Sequence, residues 1–326
     1  MSGNKPFLLS AAYKDYLWGG SKLRDNYGKD TKIDTLAEAW VCSTHPDGQS
    51  MVVSRESCTL GEVIKSHPEY LGTHPRLMNG LPILVKLIDA KKDLSVQVHP
   101  DDEYARIHEN GQLGKIEMWY VVHADEGARI VYGFKRKVGI DELRQSLSDG
   151  MIKRYLQFVP VRKGDVFLVE PGTVHAIGAG IVIAEIQESS NLTYRLYDYD
   201  RTDRNGNRRE LHLEKALEVI KLSSSAEPRQ PMRVLNYRNG YASELLGRCK
   251  YFQVERMLLN TERYRTMADY YTESNSFKIL LCVDGCGTLF GKDVMINFFK
   301  GDCIFVPAES ISLKLHGRAQ LLNIGC

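Results

Sequence analysis

Long hydrophobic runs are missing from this sequence. No apolar stretch approaches the ~20 residues that a membrane-spanning helix needs, so we expect no membrane partner. The first residues, MSGNKPFLLSAAY, contain no apolar segment of the kind found in secretion signals. The 7 cysteines are scattered and form no CxxC pair. Such an odd, dispersed set is typical of reduced thiols, so we expect a cytoplasmic protein.

An excess of one charge is missing as well. The 43 Lys and Arg residues nearly balance the 41 Asp and Glu residues, which leaves a formal net charge of +2. No basic tract and no interleaving of basic and aromatic residues marks a local binding surface. We therefore expect no nucleic-acid partner. The sequence is compatible with either a monomer or a homodimer.

Short segments of alternating polarity, separated by Gly and Pro turns, make up most of the 326 residues. This pattern predicts a mostly β fold of antiparallel sandwiches or jelly rolls. Helical periodicity is confined to a few stretches, which predicts a small helical insertion in the N-terminal half. These stretches cover about residues 59–80, 101–111 and 140–158, the last with a break near Asp149-Gly150.

A polar, proline-containing stretch at residues 223–233 is the best linker candidate. It predicts a first domain at residues 1–222 and a second β domain at residues 234–326. One motif occurs in both parts, as KGDVFLVEP at residues 163–171 and as KGDCIFVP at residues 300–307. Only the first copy is followed by a histidine, which suggests two similar β units of which one carries ligands.

The segment LSVQVHP, residues 94–100, has the alternation of a β-strand. Side chains two positions apart in a strand share a face, so Ser95, Gln97 and His99 should point the same way. A hydroxyl, an amide and an imidazole would then lie together just before Pro100 ends the strand.

Two later segments supply further potential ligands. KIE ends at Glu117, and PGTVH ends at His175 after a Pro-Gly turn. With Gln97 and His99 they form a His/Glu/His set plus a neutral oxygen donor, which is the ligand mix of a catalytic divalent metal, usually zinc. A lone histidine on a strand is more often a core or surface residue than a ligand, but the combination favours the metal.

Three cations and one carboxylate are placed where they could serve such a centre. Lys86 interrupts an apolar strand, where an unpaired charge is costly, so it should either pair with a carboxylate or face an anion-binding cavity. Lys115 shares a strand face with Glu117, and Arg195 lies on the polar face of a strand. Together they would suit a phosphorylated substrate. Glu185 could be a further ligand, a group behind the ligands or a proton carrier, and we place it at the substrate site.

The quoted segments, with LPILVKLIDAKKD, PGTVHAIGAG and NLTYRLYDYDR, resemble the type I mannose-6-phosphate isomerases in their short bacterial form, a cupin family. The resemblance implies a catalytic cupin domain with one zinc per chain, a helical insertion and a metal-free C-terminal cupin-like domain. It places Gln97, His99, Glu117 and His175 as zinc ligands, and leaves open whether Gln97 binds directly or a water takes its place. Arg195 corresponds to the active-site arginine.

The resemblance also implies substrate-binding roles for Lys86, Ser95 and Lys115, and a reaction. Mannose 6-phosphate and fructose 6-phosphate would be interconverted through a cis-enediol, with zinc as Lewis acid. A zinc-bound water, Glu185 or a lysine of lowered pKa could be the base. Two alternatives stay open, a non-catalytic regulatory cupin that binds sugar phosphates and an iron-dependent cupin oxygenase. The complete ligand set argues against the first, and the phosphate-fitting lysines with the absence of an HxH pair argue against the second.

Overall fold

A computed structural model of the protein describes residues 4–53, 58–76, 78, 80–202, 206–225, 228 and 232–326. The fold is mostly antiparallel β, as predicted. The strands are β1 Phe7–Ser10, β2 Ala12–Lys14, β3 Glu38–Cys42, β4 Met51–Val52, β5 Ile83–Ala90, β6 Val96–Val98, β7 Glu117–Ala124, β8 Arg129–Phe134, β9 Leu156–Pro160, β10 Val166–Val169, β11 His175–Ala176, β12 Ile181–Glu188, β13 Tyr194–Tyr197, β14 Asn236–Arg238, β15 Tyr241–Arg248, β16 Gln253–Asn260, β17 Ala268–Tyr270, β18 Lys278–Gly291, β19 Val294–Phe299, β20 Cys303–Val306 and β21 Leu313–Gly325.

The helices are fewer and shorter. They are α1 Lys22–Tyr27, α2 Leu60–Ser66, α3 Thr73–Arg76, α4 Asp102–His108, α5 Ile140–Ser148, α6 Leu213–Val219 and α7 Thr261–Tyr264, with 3₁₀ turns at Pro68–Leu71 and Ile152–Arg154. Helix α2 begins with a capping box, in which Thr59 and Glu62 each bond the other's backbone N–H. Across the described residues, no helix is both long enough and apolar enough to cross a membrane.

The chain divides into two compact units. The first consists of Met1–Lys14, Ser21–Leu87 and Pro231–Cys326. Ten of its strands form one sheet in the order β14-β15-β16-β21-β18-β20-β1-β4, with β17 beside β21 and β19 beside β18. The core under this sheet is aliphatic and aromatic, and includes Leu280, Leu289 and Phe298.

The second unit consists of Asp15–Gly20 and Ile88–Gln230. One of its sheets has the order β13-β6-β11-β8-β9, and elsewhere in the unit β7 lies between β10 and β12. Its core combines strand and helix residues, among them Val96, Phe134 and Leu143. The pairing of β6 with β11 sets Gln97 directly opposite His175, so two predicted ligands are brought together by backbone register.

The repeated motif adopts the same local structure in both units. Gly164 and Gly301 have φ values of 94° and 99°, a region that disfavours side chains. Gly164 N–H donates to the carbonyl of Val121, whose own N–H donates to the carbonyl of Asp165. Gly301 and Cys282 repeat the pattern, with Asp302 as the acceptor in place of Asp165. The short sequence match therefore reflects a shared structural unit.

One helical prediction is wrong in its second half. The stretch predicted at residues 140–158 is helical only to Ser148, has a 3₁₀ turn at Ile152–Arg154, and continues as strand β9. Gly150, with a φ of 67°, ends the helix. Beyond it, Leu156 and Phe158 pair with β8. The apolar spacing that would fit a helix therefore belongs to a strand here.

The predicted linker is described only in part. Residues 226, 227 and 229–231 of the stretch 223–233 lie outside the described residues, as do residues 77 and 79 of the first helical stretch and residues 203–205. The boundary between the two units, at residues 230 and 231, falls within that stretch. The division into catalytic and C-terminal domains stays a prediction.

Candidate metal centre

Three predicted ligands meet inside the second unit. His99 directly follows β6, Glu117 is the first residue of β7, and His175 is the first residue of β11. One potential ligand atom from each lies within 4.8 Å of the other two. All three side chains are at most 1 % exposed. We call these residues the His–Glu–His cluster.

The geometry directs one nitrogen of each imidazole toward Glu117. His99 Nε2 lies 3.1 Å from Glu117 Oε1, and His175 Nε2 lies 3.7 Å from Glu117 Oε2. The Nδ1 atom of His175 is 2.8 Å from the carbonyl oxygen of Thr173. A carbonyl can only accept, so Nδ1 carries the proton in the neutral ring and Nε2 keeps a lone pair for a metal.

The charge states are those that metal ligands need. Burial, aided by the nearby Lys115 ammonium, lowers the pKa of His99 to about 3. Burial also lowers the pKa of His175. Burial opposes ionisation of Glu117, but the surrounding interactions, of which the charge of the Lys115 ammonium is the largest, outweigh it and hold the pKa of that carboxyl well below its usual range. Two neutral imidazoles and one carboxylate are therefore ready for a divalent cation without prior deprotonation.

These shifts predict that the metal-free protein loses stability in mild acid. Between pH 6.5 and about 3, the unfolded chain protonates His99 while the folded chain does not, so falling pH favours unfolding. Each such buried histidine should cost about 1.4 kcal/mol per pH unit in the free energy of unfolding. Urea titrations of chelator-treated protein from pH 7 to pH 5 would measure this slope.

His99→Gln is the matched variant for that slope, because it removes one of the titrating imidazoles. The free energy of unfolding of the variant should change less steeply with pH, by the ~1.4 kcal/mol per pH unit that one bound proton contributes. A wild-type stability that stays flat between pH 7 and pH 5 would contradict the assignment of neutral, buried imidazoles.

Gln97 lies beside the cluster. Its Nε2 is 3.4 Å from His175 Nε2, and it is less buried than the three other predicted ligands. An amide ligates metals through oxygen, and the oxygen and nitrogen of an amide side chain exchange places by a simple flip. The position is therefore compatible with a fourth ligand, and direct ligation stays a prediction.

The predicted cations take up different positions. Lys115 Nζ lies 2.6 Å from Glu117 Oε1 and 3.5 Å from His99 Nε2, so it belongs to the immediate surroundings of the cluster. Arg195 lies opposite Gln97 on strand β13. It donates through Nε to Ser95 Oγ, at 3.3 Å, and through Nη1 to the carbonyl of Glu210, at 2.7 Å.

Lys86 belongs to the first unit, in the middle of the fully buried strand β5. Its ammonium is 3.7 Å from Glu38 Oε2 and lies over the ring of Trp40, 4.9 Å from the centroid. Of the two alternatives predicted for Lys86, the carboxylate partner is therefore present. The assignment of Lys86 to a substrate site stays a prediction.

Comparison with known proteins identifies the family. A model of the type I phosphomannose isomerase catalytic domain matches residues 7–114, and a model of the mannose-6-phosphate isomerase cupin domain matches residues 243–324. The chain is 36% identical over 322 residues to mannose-6-phosphate isomerase ManA of Bacillus subtilis, which covers 98% of each chain. The chain belongs to the mannose-6-phosphate isomerase family.

Other comparisons agree with this family. A mannose-6-phosphate isomerase of Streptococcus mutans is 43% identical over 224 residues, 68% of this chain and 70% of that protein. The crystal structure of the Bacillus subtilis mannose 6-phosphate isomerase superposes with a TM-score of 0.89 at 32% identity, covering 98% of this chain and 99% of that one. The family relationship and the cupin architecture predicted from the sequence are thus confirmed.

The family models cover the cluster only in part. The catalytic-domain match includes His99 and Gln97 but ends before Glu117 and His175. In this mannose-6-phosphate isomerase family member, the structure itself joins the two halves of the cluster, because β7 and β11 bring the later residues to the end of β6.

Some residues around the cluster escaped the sequence reasoning. Trp119, two residues after Glu117 on strand β7, donates its indole N–H to Glu117 and to Glu185. The spacing E-x-W on one strand could have revealed it. Two arginines, Arg201 and Arg209, bind the same buried carboxylate, Asp198, and only the fold shows that these charges converge.

Proposed function

We propose that this chain is a zinc-dependent aldose–ketose isomerase that interconverts mannose 6-phosphate and fructose 6-phosphate through a cis-enediolate. The observation that carries the proposal is the buried His–Glu–His cluster in a member of this isomerase family. Neutral imidazoles with a carboxylate form a typical catalytic zinc donor set.

His99, Glu117 and His175 would hold one zinc ion per chain, with Gln97 or a water beside them. Support comes from the His175 tautomer, which leaves Nε2 available. The hydrogen bond from His175 Nδ1 to the Thr173 carbonyl is the kind of bond that orients a metal-ligating histidine. When bound, zinc supplies Lewis acidity toward a carbonyl oxygen.

The substrate would be held by this chain's polar groups. Ser95 and Arg195 already bond to each other and offer a hydroxyl and a guanidinium to an incoming oxygen. Negative charge develops on the sugar oxygens as the proton leaves carbon, and Arg195 would stabilise that charge. Lys86 and Lys115 would bind the phosphate or assist proton movement. Glu185, which is 4 % exposed, is the carboxylate candidate for carrying the proton between C2 and C1.

Several other assignments belong to the same proposal. Residues 1–222 would form the catalytic cupin domain and residues 234–326 a cupin-like domain without metal ligands. A cytoplasmic location is supported by the cysteines, all of which are free thiols. A monomeric or homodimeric state, and the absence of a nucleic-acid partner, stay predictions from the sequence.

Turnover of mannose 6-phosphate is the direct test of this proposal. The purified, zinc-loaded chain should form fructose 6-phosphate in a coupled assay, with a turnover in the range of about 1–1,000 s⁻¹ that is typical of enzymes. His175→Ala is the matched variant, since it should lose the activity by removing a ligand. Binding of the sugar phosphate without conversion by the zinc-loaded protein would instead support the non-catalytic regulatory alternative.

A further inference from the structure

Trp119 occupies a central place beside the His–Glu–His cluster. It lies two residues after Glu117 on β7, and the two side chains therefore share a face of the strand. The pairing of β7 with β12 sets Trp119 directly opposite Glu185. The indole is only 1 % exposed, so its N–H must find its acceptors within the protein.

The indole N–H is shared between two carboxylates. Trp119 Nε1 lies 3.0 Å from Glu117 Oε2 and 3.0 Å from Glu185 Oε1. An indole nitrogen donates and never accepts, so the direction of both bonds is certain. Hydrogen bonds to a charged acceptor are stronger than neutral ones, and a buried carboxylate is costly without them.

This bond divides the two oxygens of Glu117 between different partners. Oε1 faces His99 Nε2, at 3.1 Å, and Lys115 Nζ, at 2.6 Å. Oε2 faces the indole N–H, at 3.0 Å, and lies 3.7 Å from His175 Nε2. Rotation of the carboxylate about its last bond would break this bond, so the indole holds Oε1 in the position shared with His99.

The same side chain also contacts the second imidazole. The Trp119 and His175 rings are 5.4 Å apart at an interplanar angle of 72°, an edge-to-face arrangement. Trp119 thus touches two members of the cluster through two different parts of its structure, the N–H and the ring.

We propose that Trp119 is a positioning residue of the metal centre, whose indole N–H fixes the orientation of the Glu117 carboxylate for metal binding. The inference rests on the proposed metal-dependent function. Partners that orient metal ligands typically change metal affinity by about 10–100-fold when removed. Trp119→Phe deletes the N–H and keeps an aromatic ring against His175.

The chain contains its own matched control. Trp40 donates its indole N–H to Glu38 Oε2, at 2.7 Å, across the same E-x-W spacing on strand β3. Trp40 is also completely buried, but it belongs to the first unit, whereas the His–Glu–His cluster lies in the second. Trp40→Phe therefore reproduces the loss of a buried tryptophan–glutamate bond at a carboxylate that is not a member of the His–Glu–His cluster.

Zinc affinity, measured on the full chain by competition with a chromogenic chelator, tests the inference. Trp119→Phe should bind zinc about 10–100-fold more weakly than the wild type, and Trp40→Phe should stay within about threefold of it. Equal zinc affinities of wild type and Trp119→Phe would overturn the positioning role. A wild type without a tight zinc site would instead overturn the proposed function, so the two failures are distinguishable.

A second measurement needs no substitution at Trp119. The chain has 3 tryptophans, and Trp18→Phe and Trp40→Phe assign the remaining indole N–H signal in ¹⁵N-labelled protein. Zinc titration should shift the Trp119 signal in proportion to site occupancy and leave the Trp40 signal unchanged. A Trp119 signal that does not move while zinc binds would contradict the inference.

Discussion

Chelator treatment is expected to abolish the isomerase activity, and added zinc to restore it. The cluster offers a cation three ligand atoms within 4.8 Å of one another. The Glu117 carboxyl is already ionised at neutral pH, because its pKa is held well below the usual range. A metal Lewis acid contributes several kcal/mol to charge stabilisation in a transition state, and each ~1.4 kcal/mol is a factor of ten in rate. We therefore expect a loss of at least about 100-fold.

The measurement is a coupled assay on mannose 6-phosphate, with metal content determined on the same samples. His99→Ala provides the matched control, because zinc at the same concentration should not restore a site that lacks a ligand. Loss of activity through unfolding is separated from loss through metal removal by comparing circular dichroism before and after chelation. Full activity in a sample proven free of metal would end the proposal of a metal-dependent enzyme.

The cluster could be predicted from sequence because His99 directly follows an alternating strand, while Glu117 and His175 each begin one. The spacing of Gln97 and His99 fixed a common face, and the Pro-Gly turn pointed to His175. The pattern could not show which strands lie side by side. Only the pairing of β6 with β11 sets Gln97 opposite His175, and long-range pairing depends on contacts that leave no local signature.

The errors and omissions have identifiable causes. The end of the predicted helix, from Leu156 on, is strand β9. So short a run of apolar residues fits either a helix or a strand, and tertiary pairing decides between them. Lys86 is anomalous in the sequence because it interrupts an apolar strand. Its partner Glu38 lies 48 positions earlier on a different strand, and such a partner cannot be identified from the sequence. Trp119 resembles an ordinary core aromatic until its neighbours Glu117 and Glu185 are seen.

Arg195→Ala is expected to lower the turnover by about 10²–10³-fold, as removal of a preorganised charge-stabilising donor does in other enzymes. The guanidinium is held in place from two sides, by the Ser95 hydroxyl at 3.3 Å and by the Glu210 carbonyl at 2.7 Å. Burial and the neighbouring Arg209 lower the pKa of Arg195, but an arginine remains protonated at neutral pH. A fixed cation of this kind stabilises developing negative charge without having to reorganise.

Zinc content separates this effect from a damaged metal site. Arg195 contributes no atom to the His–Glu–His cluster, so Arg195→Ala should retain zinc at the wild-type level while turnover falls. Arg195→Lys should recover only part of the rate, because an ammonium cannot reproduce the planar set of donors. The exposed Arg136, paired with Glu142 on the surface, is the matched control, and Arg136→Ala should leave turnover unchanged. Near-normal turnover of zinc-loaded Arg195→Ala would remove Arg195 from the reaction, because its charge would then play no part in the transition state.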